Sequence, residues 1–406
     1  MGLWLYSAVA HGRPQEEDVE GPPRQAPRPA LDRRAAREHL PELRLADAAA
    51  SHVSYVQDLS RARHRAASHA GAVDGSNTPT RIAIDAMGGD RGPAEVVEGA
   101  RLAWSDAIQP VLVGPPDLAT GGLELVEAGD TIGMHEKPTE AVRAKPQSSL
   151  VVACRLVAEG RADAVVSAGN TGAMLAASLL ELRRIRGVHR PAIAVPIPAR
   201  RGPSVLLDAG ANADARADHL LQFGHMGAVF AQEVLGVAEP DVRLLSIGEE
   251  AEKGNELTLE AHALLAASDL RFGGNVESRE LLEGAADVVV TDGFTGNVCL
   301  KLLEGTIKTL LDALREEIVS TPRGKLGGLL IRPAASRLRE RLDPDTYGGA
   351  YLLGLRGLVV IAHGNSSRRA IANAIRLAAR GVENDVVGRL TQRLGQEARA
   401  AEEIPS

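Results

Sequence analysis

Cysteine is scarce in this chain, with only Cys154 and Cys299 among 406 residues. Neither has a metal-ligand neighbour at useful spacing. Both are therefore expected as buried small hydrophobes in a reducing compartment, and a core of this size needs no disulfides. Lysine is scarce too, with six in all: Lys137, Lys145, Lys253, Lys301, Lys308 and Lys325. A formal net charge of -7 argues against general nucleic-acid binding, because phosphate backbones reward clustered cations. No run of about eighteen apolar residues occurs, so no ordinary membrane-spanning helix is expected. The apolar start GLWLYSAVA is short and lacks a basic flank, which argues against a secretory signal. Cytoplasmic residence is the expected default.

Several motifs are missing as well. No G-x-x-x-x-G-K-[ST] occurs, so a nucleotide P-loop is unsupported, and GEEAEKGNE has its Lys and Gly in the wrong order. The glycines of AMGGDRG do not make G-x-G-x-x-G. No G-x-S-x-G elbow marks an activated serine, so a covalent acyl-enzyme is not indicated.

Residues 1–79 differ from the rest. They hold PQEEDVEGPPRQAPRPALDRRAAREHL, five of the eleven His, and no Lys. Pro, Ala and charge without a strand pattern suggest a disordered extension, or a start assigned too far upstream. From residue 80 onward strands alternate with helices. The apolar runs are IAID, PVLVG, ADAVVSAG, AIAVPIP, SVLLDAG, VRLLSIG, ADVVVTDG and GLVVIAHG, separated by segments such as HLLQFGHMGAVFAQEVLG. Such alternation predicts a three-layer α/β/α sandwich with a mostly parallel, doubly wound sheet.

The strands end in a recurring way: DAMGGD, SAGNTG, DAGAN, SIGEE, TDGFTGN and AHGNSS. Glycine lets a backbone approach closely, while Asn, Thr and Ser cap the next helix and donate hydrogen bonds. In IAIDAMGGDRGP, Pro93 fits a first helical turn with Asp90 as its expected cap. In an open parallel sheet ligands lie outside the carboxyl ends of strands, so six such exits are expected to converge on one edge around a small anionic group. The competing reading is ordinary turn formation and capping.

The blocks AIDAMGGDRGP, VSAGNTGAMLA, LLDAGANAD, IGEEAEKGNEL, LLEGAADVVVTDGFTGNVCLKLLEG and YGGAYLLGLRGLVVIAHG, in this order, resemble the phosphate acyltransferase family of bacterial phospholipid synthesis. The resemblance spans about residues 81–381 and leaves the N-terminal extension without a counterpart. It implies a phosphotransacetylase-like sandwich, usually dimeric, with no cofactor and no metal. It also implies transfer of a fatty acyl chain from acyl carrier protein to inorganic phosphate, giving an acyl phosphate for glycerol-3-phosphate acylation, with the downstream glycerol-3-phosphate acyltransferase as a further partner.

Within that resemblance Gly169, Asn170, Thr171 and Gly172 are assigned to phosphate or oxyanion contact, with Thr295, Gly296 and Asn297 facing them. Gly88, Gly89 and Asn212 line the substrate side. Asp85, Asp208 and Asp292 end strands at the same edge, as caps or as carboxylates that orient a cation. Lys145 (beside Arg143), Lys253 and Lys301 are the cationic candidates, and His363 is an acid, a donor or a structural residue. Direct attack by phosphate on a thioester needs no enzyme nucleophile, because thiolate is a good leaving group. A second surface is expected at about 320–345, where six cations flank apolar Leu326–Ile331. That pattern suits an anionic membrane surface or an acidic carrier protein, or else a solvated insertion. The alternatives are transfer between a small acyl-CoA and phosphate, or a non-catalytic membrane-docked scaffold.

Overall fold

A computed structural model describes residues 78–402, without the side chains of residue 344 and residues 396–402. The expected N-terminal extension therefore lies almost wholly outside the described residues. The first half of the chain forms β1 (Thr80–Asp85), α1 (Pro93–Ala103), β2 (Ile108–Gly114), β3 (Glu124–Glu127), α2 (Pro138–Ala144), α3 (Ser149–Ala158), β4 (Ala164–Ser167), α4 (Thr171–Glu181), β5 (Ala192–Ala199) and β6 (Gly202–Leu207). There follow α5 (Ala217–Glu233), β7 (Val242–Ser246), α6 (Glu256–Ala267), β8 (Phe272–Glu277), β9 (Val288–Val290), α7 (Gly293–Val319), α8 (Pro322–Leu342), β10 (Ala350–Leu353), β11 (Leu358–Ile361), α9 (Arg368–Glu383) and α10 (Val386–Glu402).

One sheet runs β3-β2-β1-β4-β11-β10-β5-β6-β9-β7-β8. Strand residues alternate between its two faces, as the period of two requires. Ile82, Ile84, Leu112, Val205 and Leu207 belong to a core shared with α1, α5, α9 and α10, whereas Ala83, Val111, Val113 and Leu206 belong to one shared with α3, α4 and α7. Helices thus cover both faces, giving the α/β/α sandwich. Cys154 is fully buried in the second core, and Cys299 is half-buried rather than buried.

Pairing directions correct one expectation. Strands β3, β2, β1, β4 and β11 are mutually parallel, and so are β6, β9, β7 and β8. Between these sets, β11 to β10, β10 to β5 and β5 to β6 are all antiparallel. Three reversals leave the second set pointing opposite to the first. The exits of β1, β4 and β11 therefore share one edge, while those of β6, β9 and β7 share the other, so the six do not converge.

The reversal at β5–β6 is a tight hairpin, Ala199 pairing with Gly202 across Arg200 and Arg201. Gly202 takes a φ of +139°, which a side chain would resist. Pro196 and Pro198 lie beyond Ala194, where β5 has left β10 and keeps β6 alone, so their missing N–H groups break no ladder.

The first glycine turn also differs from expectation. Gly92, with a φ of +79°, occupies the cap position of α1, and no side chain caps it. Asp90 instead donates its N–H to Gly364 O at 2.7 Å, tying the β1 exit to the β11 exit.

Candidate active site

At the β1, β4 and β11 edge the central group is Asp85. It accepts from Ser149 Oγ at 2.6 Å, Ser167 Oγ at 2.7 Å and the Met87 N–H at 3.3 Å. Burial pushes its carboxyl above the usual carboxylate range, against the pull of those hydrogen bonds. Ser167 in turn accepts the Gly169 N–H at 3.0 Å. A Cβ on Gly88 would lie 2.6 Å from Asp85 Oδ2 and 2.8 Å from Gly169 N, so only glycine lets the two exits stack. Gly89 takes a φ of +107° beneath Gly364 O.

Asn170 caps α4 by accepting the Ala173 N–H at 3.0 Å. Its amide nitrogen donates to Met134 O at 3.0 Å and Glu136 O at 3.2 Å. Lys145 Nζ is bound to the same loop, through Glu136 Oε1 at 2.7 Å and Thr131 O at 2.9 Å. Both residues were expected to meet an anion. Here their polar heads hold the 131–136 loop beside the β4 exit, and Gly172 packs on Pro138 of α2. Lys145 and the Gly133 N–H hold the Glu136 carboxyl below its usual range. Thr171 and Gly172 supply the first-turn N–H groups of α4, which have no intrahelical acceptor by position.

His363 reaches the same edge, its Nε2 at 3.3 Å from Glu304 Oε1. Lys301 lies 3.3 Å from the other Glu304 oxygen. Burial raises the Glu304 carboxyl, but His363 and Lys301 outweigh it and leave it below the usual range. Helix α7 starts at the β9 exit and reaches β11 at Glu304, so it runs from one edge of the sheet to the other.

The opposite edge gathers Asp208, Asn212, Asp292, Thr295, Gly296, Asn297 and Lys253. Asp208 is 0% exposed and accepts from the N–H groups of Ile193 (2.9 Å), Gly210 (3.1 Å), Ala211 (3.0 Å) and Asn212 (2.7 Å) and from Asn212 Nδ2 (2.8 Å). Burial still pushes its carboxyl above the usual range. Asp292 caps α7 through the Thr295 N–H at 2.9 Å. A Cβ on Gly296 would lie 2.0 Å from Asp208 O, and one on Gly210 would touch Asn297 at 3.6 Å. Lys253 is exposed on the turn after β7, whose Ser246 Oγ bonds its carbonyl at 2.8 Å. Thr295, Gly296 and Asn297 do not face the β4 exit, because the sheet reverses between them.

Ser149 and Ser167 escaped the sequence reading because nothing local distinguishes a serine that supports a carboxylate. The β5–β6 hairpin carried a usable signal, two apolar runs separated by a two-residue turn before Gly. As for nucleophiles, burial pushes the Cys154 thiol up to about 12, leaving it inert.

Residues 80–389 match the family model described as fatty acid synthesis protein. A phosphate acyltransferase from Heliobacterium modesticaldum is 47% identical over 326 residues, covering 77% of this chain and 97% of the relative. One from Desulfitobacterium hafniense is 48% identical over 325 residues, with the same two coverages. A phosphotransacetylase structure from Streptococcus pyogenes aligns with 75% of this chain and 94% of its own at a TM-score of 0.49 and 18% identity. The extent and identity of the first two matches make this chain a member of the phosphate acyltransferase family.

Proposed function

We propose that the chain moves a long-chain fatty acyl group from the thioester of acyl carrier protein to inorganic phosphate. A phosphate oxygen attacks the thioester carbonyl carbon, the C–O bond forms, the tetrahedral oxyanion collapses, and the C–S bond breaks to release carrier thiolate and acyl phosphate. The observation carrying this reading is the stack of glycine exits at Asp85, Gly88 and Gly169 beside the first turn of α4. Backbone N–H groups at such a turn suit an anion and a developing oxyanion. The inert Cys154 thiol fits direct attack.

A long-chain substrate also accounts for the α7–α8 hairpin. Helix α8 buries no residue, and Leu329, Leu330 and Ile331 are 64%, 77% and 48% exposed beside Lys325 and Arg332. We assign this hairpin to an anionic membrane surface, which would keep the protein peripheral. No helix among the described residues is long and apolar enough to cross a membrane. Homodimer formation and delivery of product to a glycerol-3-phosphate acyltransferase belong to the same proposal.

The test supplies purified protein with phosphate and either palmitoyl-carrier protein or acetyl-CoA, and traps acyl phosphate with hydroxylamine. Hydroxamate from the palmitoyl donor is expected, and preference for acetyl-CoA would overturn the reading. Replacing Leu329, Leu330 and Ile331 together by Ser should release the protein from anionic vesicles while turnover of soluble substrate persists. Unchanged vesicle binding would remove the membrane assignment.

A further inference from the structure

His363, at the β11 exit, and Glu304, on α7, meet at the β1, β4 and β11 edge, and neither takes part in the bond changes of acyl transfer. Strand register brings His363 to the glycine stack. Ile361 pairs with Ser167, and the Ala362 N–H donates to Ser167 O at 2.9 Å, so two residues past Ile361 the chain stands beside Gly169, across strands about 5 Å apart. The two exits stay together beyond the strand ends. A Cβ on Gly89 would meet both Gly364 O at 3.3 Å and Ala168 Cβ at 3.4 Å.

Alternation along the strands sets the face. Ala83, Val165 and Ile361 all belong to the core shared with α3, α4 and α7, so Asp85, Ser167 and His363, each two residues further on, turn to that side. Helix α4 starts on the same side, with Ala173 and Met174 in that core. His363 is 44% exposed, so a reactant at the first turn of α4 can reach it.

Glu304 decides which ring nitrogen works. Its Oε1 is buried and has no other hydrogen-bond partner among the described residues, and His363 Nε2 approaches it to 3.3 Å. A carboxylate oxygen only accepts, so the ring proton is assigned to Nε2 and the free lone pair to Nδ1. Lys301 Nζ donates to the other oxygen at 3.3 Å. Glu304 is thus held from both sides, and a carboxylate on Nε2 steadies the imidazolium formed when Nδ1 takes up a proton.

We infer that His363 carries the proton of the transfer and that Glu304 is the positioning residue that holds its ring. The inference rests on the acyl-transfer reading, in which hydrogenphosphate brings a proton that the acyl phosphate does not keep. His363 Nδ1 takes that proton as the phosphate oxygen bonds to the carbonyl carbon. Once the C–S bond has broken, the imidazolium returns the proton to the carrier thiolate, leaving acyl phosphate, carrier thiol and a neutral ring. Proton transfer of this kind contributes about 10²–10⁴-fold. Asp85 does not compete for the role, because both its oxygens accept from serine hydroxyls and it is only 3% exposed.

The full-length protein is assayed with palmitoyl-carrier protein and inorganic phosphate, acyl phosphate being trapped with hydroxylamine. His363→Gln should lower kcat by about 10²–10⁴-fold at unchanged KM for phosphate. In His363→Gly, added imidazole should restore part of the loss, which no structural bridge between α7 and β11 would allow. Nitrogen NMR of the histidines in mildly alkaline buffer should show His363 with its proton on Nε2 in the parent and a mixture of tautomers in Glu304→Ala, whose kcat should also fall, by a smaller factor than in His363→Gln. Thermal unfolding of each variant separates lost catalysis from lost fold. Parental kcat in His363→Gln, a folded His363→Gly that gains nothing from imidazole, or a parent ring protonated on Nδ1 would each overturn the inference. The tautomer is read without substrate, so a parent that forms no hydroxamate yet keeps the proton on Nε2 fails the acyl-transfer reading, whereas an active parent with any of those three results fails the proton carrier alone.

Discussion

The two halves of the sheet each bury an aspartate where a strand ends, Asp85 as the last residue of β1 and Asp208 directly after β6, and each has glycines packed against it. The partners differ. Two serine hydroxyls and one backbone N–H serve Asp85, whereas four backbone N–H groups and the Asn212 amide serve Asp208. Hydroxyls rotate and find other acceptors, but a backbone N–H points where its loop sends it. Asp208 is therefore the framework of its loop, and Asp85 is a support that adjusts. The adjustable edge is also the one where α4 presents its first turn beside the glycine stack.

The largest expected effect follows directly. Asp208→Ala strips the acceptor from five donors, and buried orphans cost about 1–3 kcal/mol each before water relieves some of them. A loss of about 4 kcal/mol or more is expected from urea unfolding. Asp85→Ala should cost less, about 1–3 kcal/mol. Equal losses, or a larger loss at Asp85, would break the contrast between the halves.

Next in size is Gly296→Ala. The added Cβ would stand 2.0 Å from Asp208 O, at the end of a helix capped by Asp292, so the α7 start must shift. Overpacking of this kind costs about 1–3 kcal/mol. The counterpart at the other edge is Gly88→Ala, whose Cβ would stand 2.6 Å from Asp85 Oδ2 and 2.8 Å from Gly169 N, a close but less severe approach than 2.0 Å. Calorimetric melting should rank Gly296→Ala as the worse of the two.

Asn170 shows how far the sequence could be read. Its place after a buried strand and before α4 was legible in SAGNTG, and capping at that position is local chemistry. Its bonds to Met134 O and Glu136 O were not, because they join segments about 35 residues apart and no periodicity records them. The same holds for the sheet. Alternating apolar runs disclosed the α/β layers, but a run such as AIAVPIPA reads alike in either direction, so the reversal at β5 escaped. The four-residue β10 and the glycine-bearing β8 were too short or too weak to register. Asn170→Ala should cost about 1 kcal/mol from the lost cap and loosen the 131–136 loop. Asn170→Asp keeps the cap and loses both amide donations, so it isolates the loop. A fall of about a hundredfold in kcat/KM for both variants at unchanged KM would instead make Asn170 a transition-state donor.

The smallest effect is a pH dependence that sharpens the contrast from the β6 side. Burial lowers the pKa of His219 from its ordinary 6.5, with Arg216, His189 and Arg190 adding to the shift and Asp218 opposing it. Just below pH 6.5 the unfolded chain takes up a proton at this position that the folded chain refuses. Stability contributed by neutral His219 is thus fully present above 6.5 and is lost as pH falls through the folded value. Asp85 and Asp208 act with the opposite sign. Their folded carboxyls bind protons more readily than unfolded ones, so acid favours the folded state until both are protonated. Comparing the parent with His219→Gln cancels the two aspartates, which titrate in both proteins. The stability advantage of the parent, measured by urea unfolding at pH steps from 7.5 down to 5, should shrink below pH 6.5. An advantage that stays constant or grows on acidification would show that the folded protein protonates His219 at least as readily as the unfolded chain does.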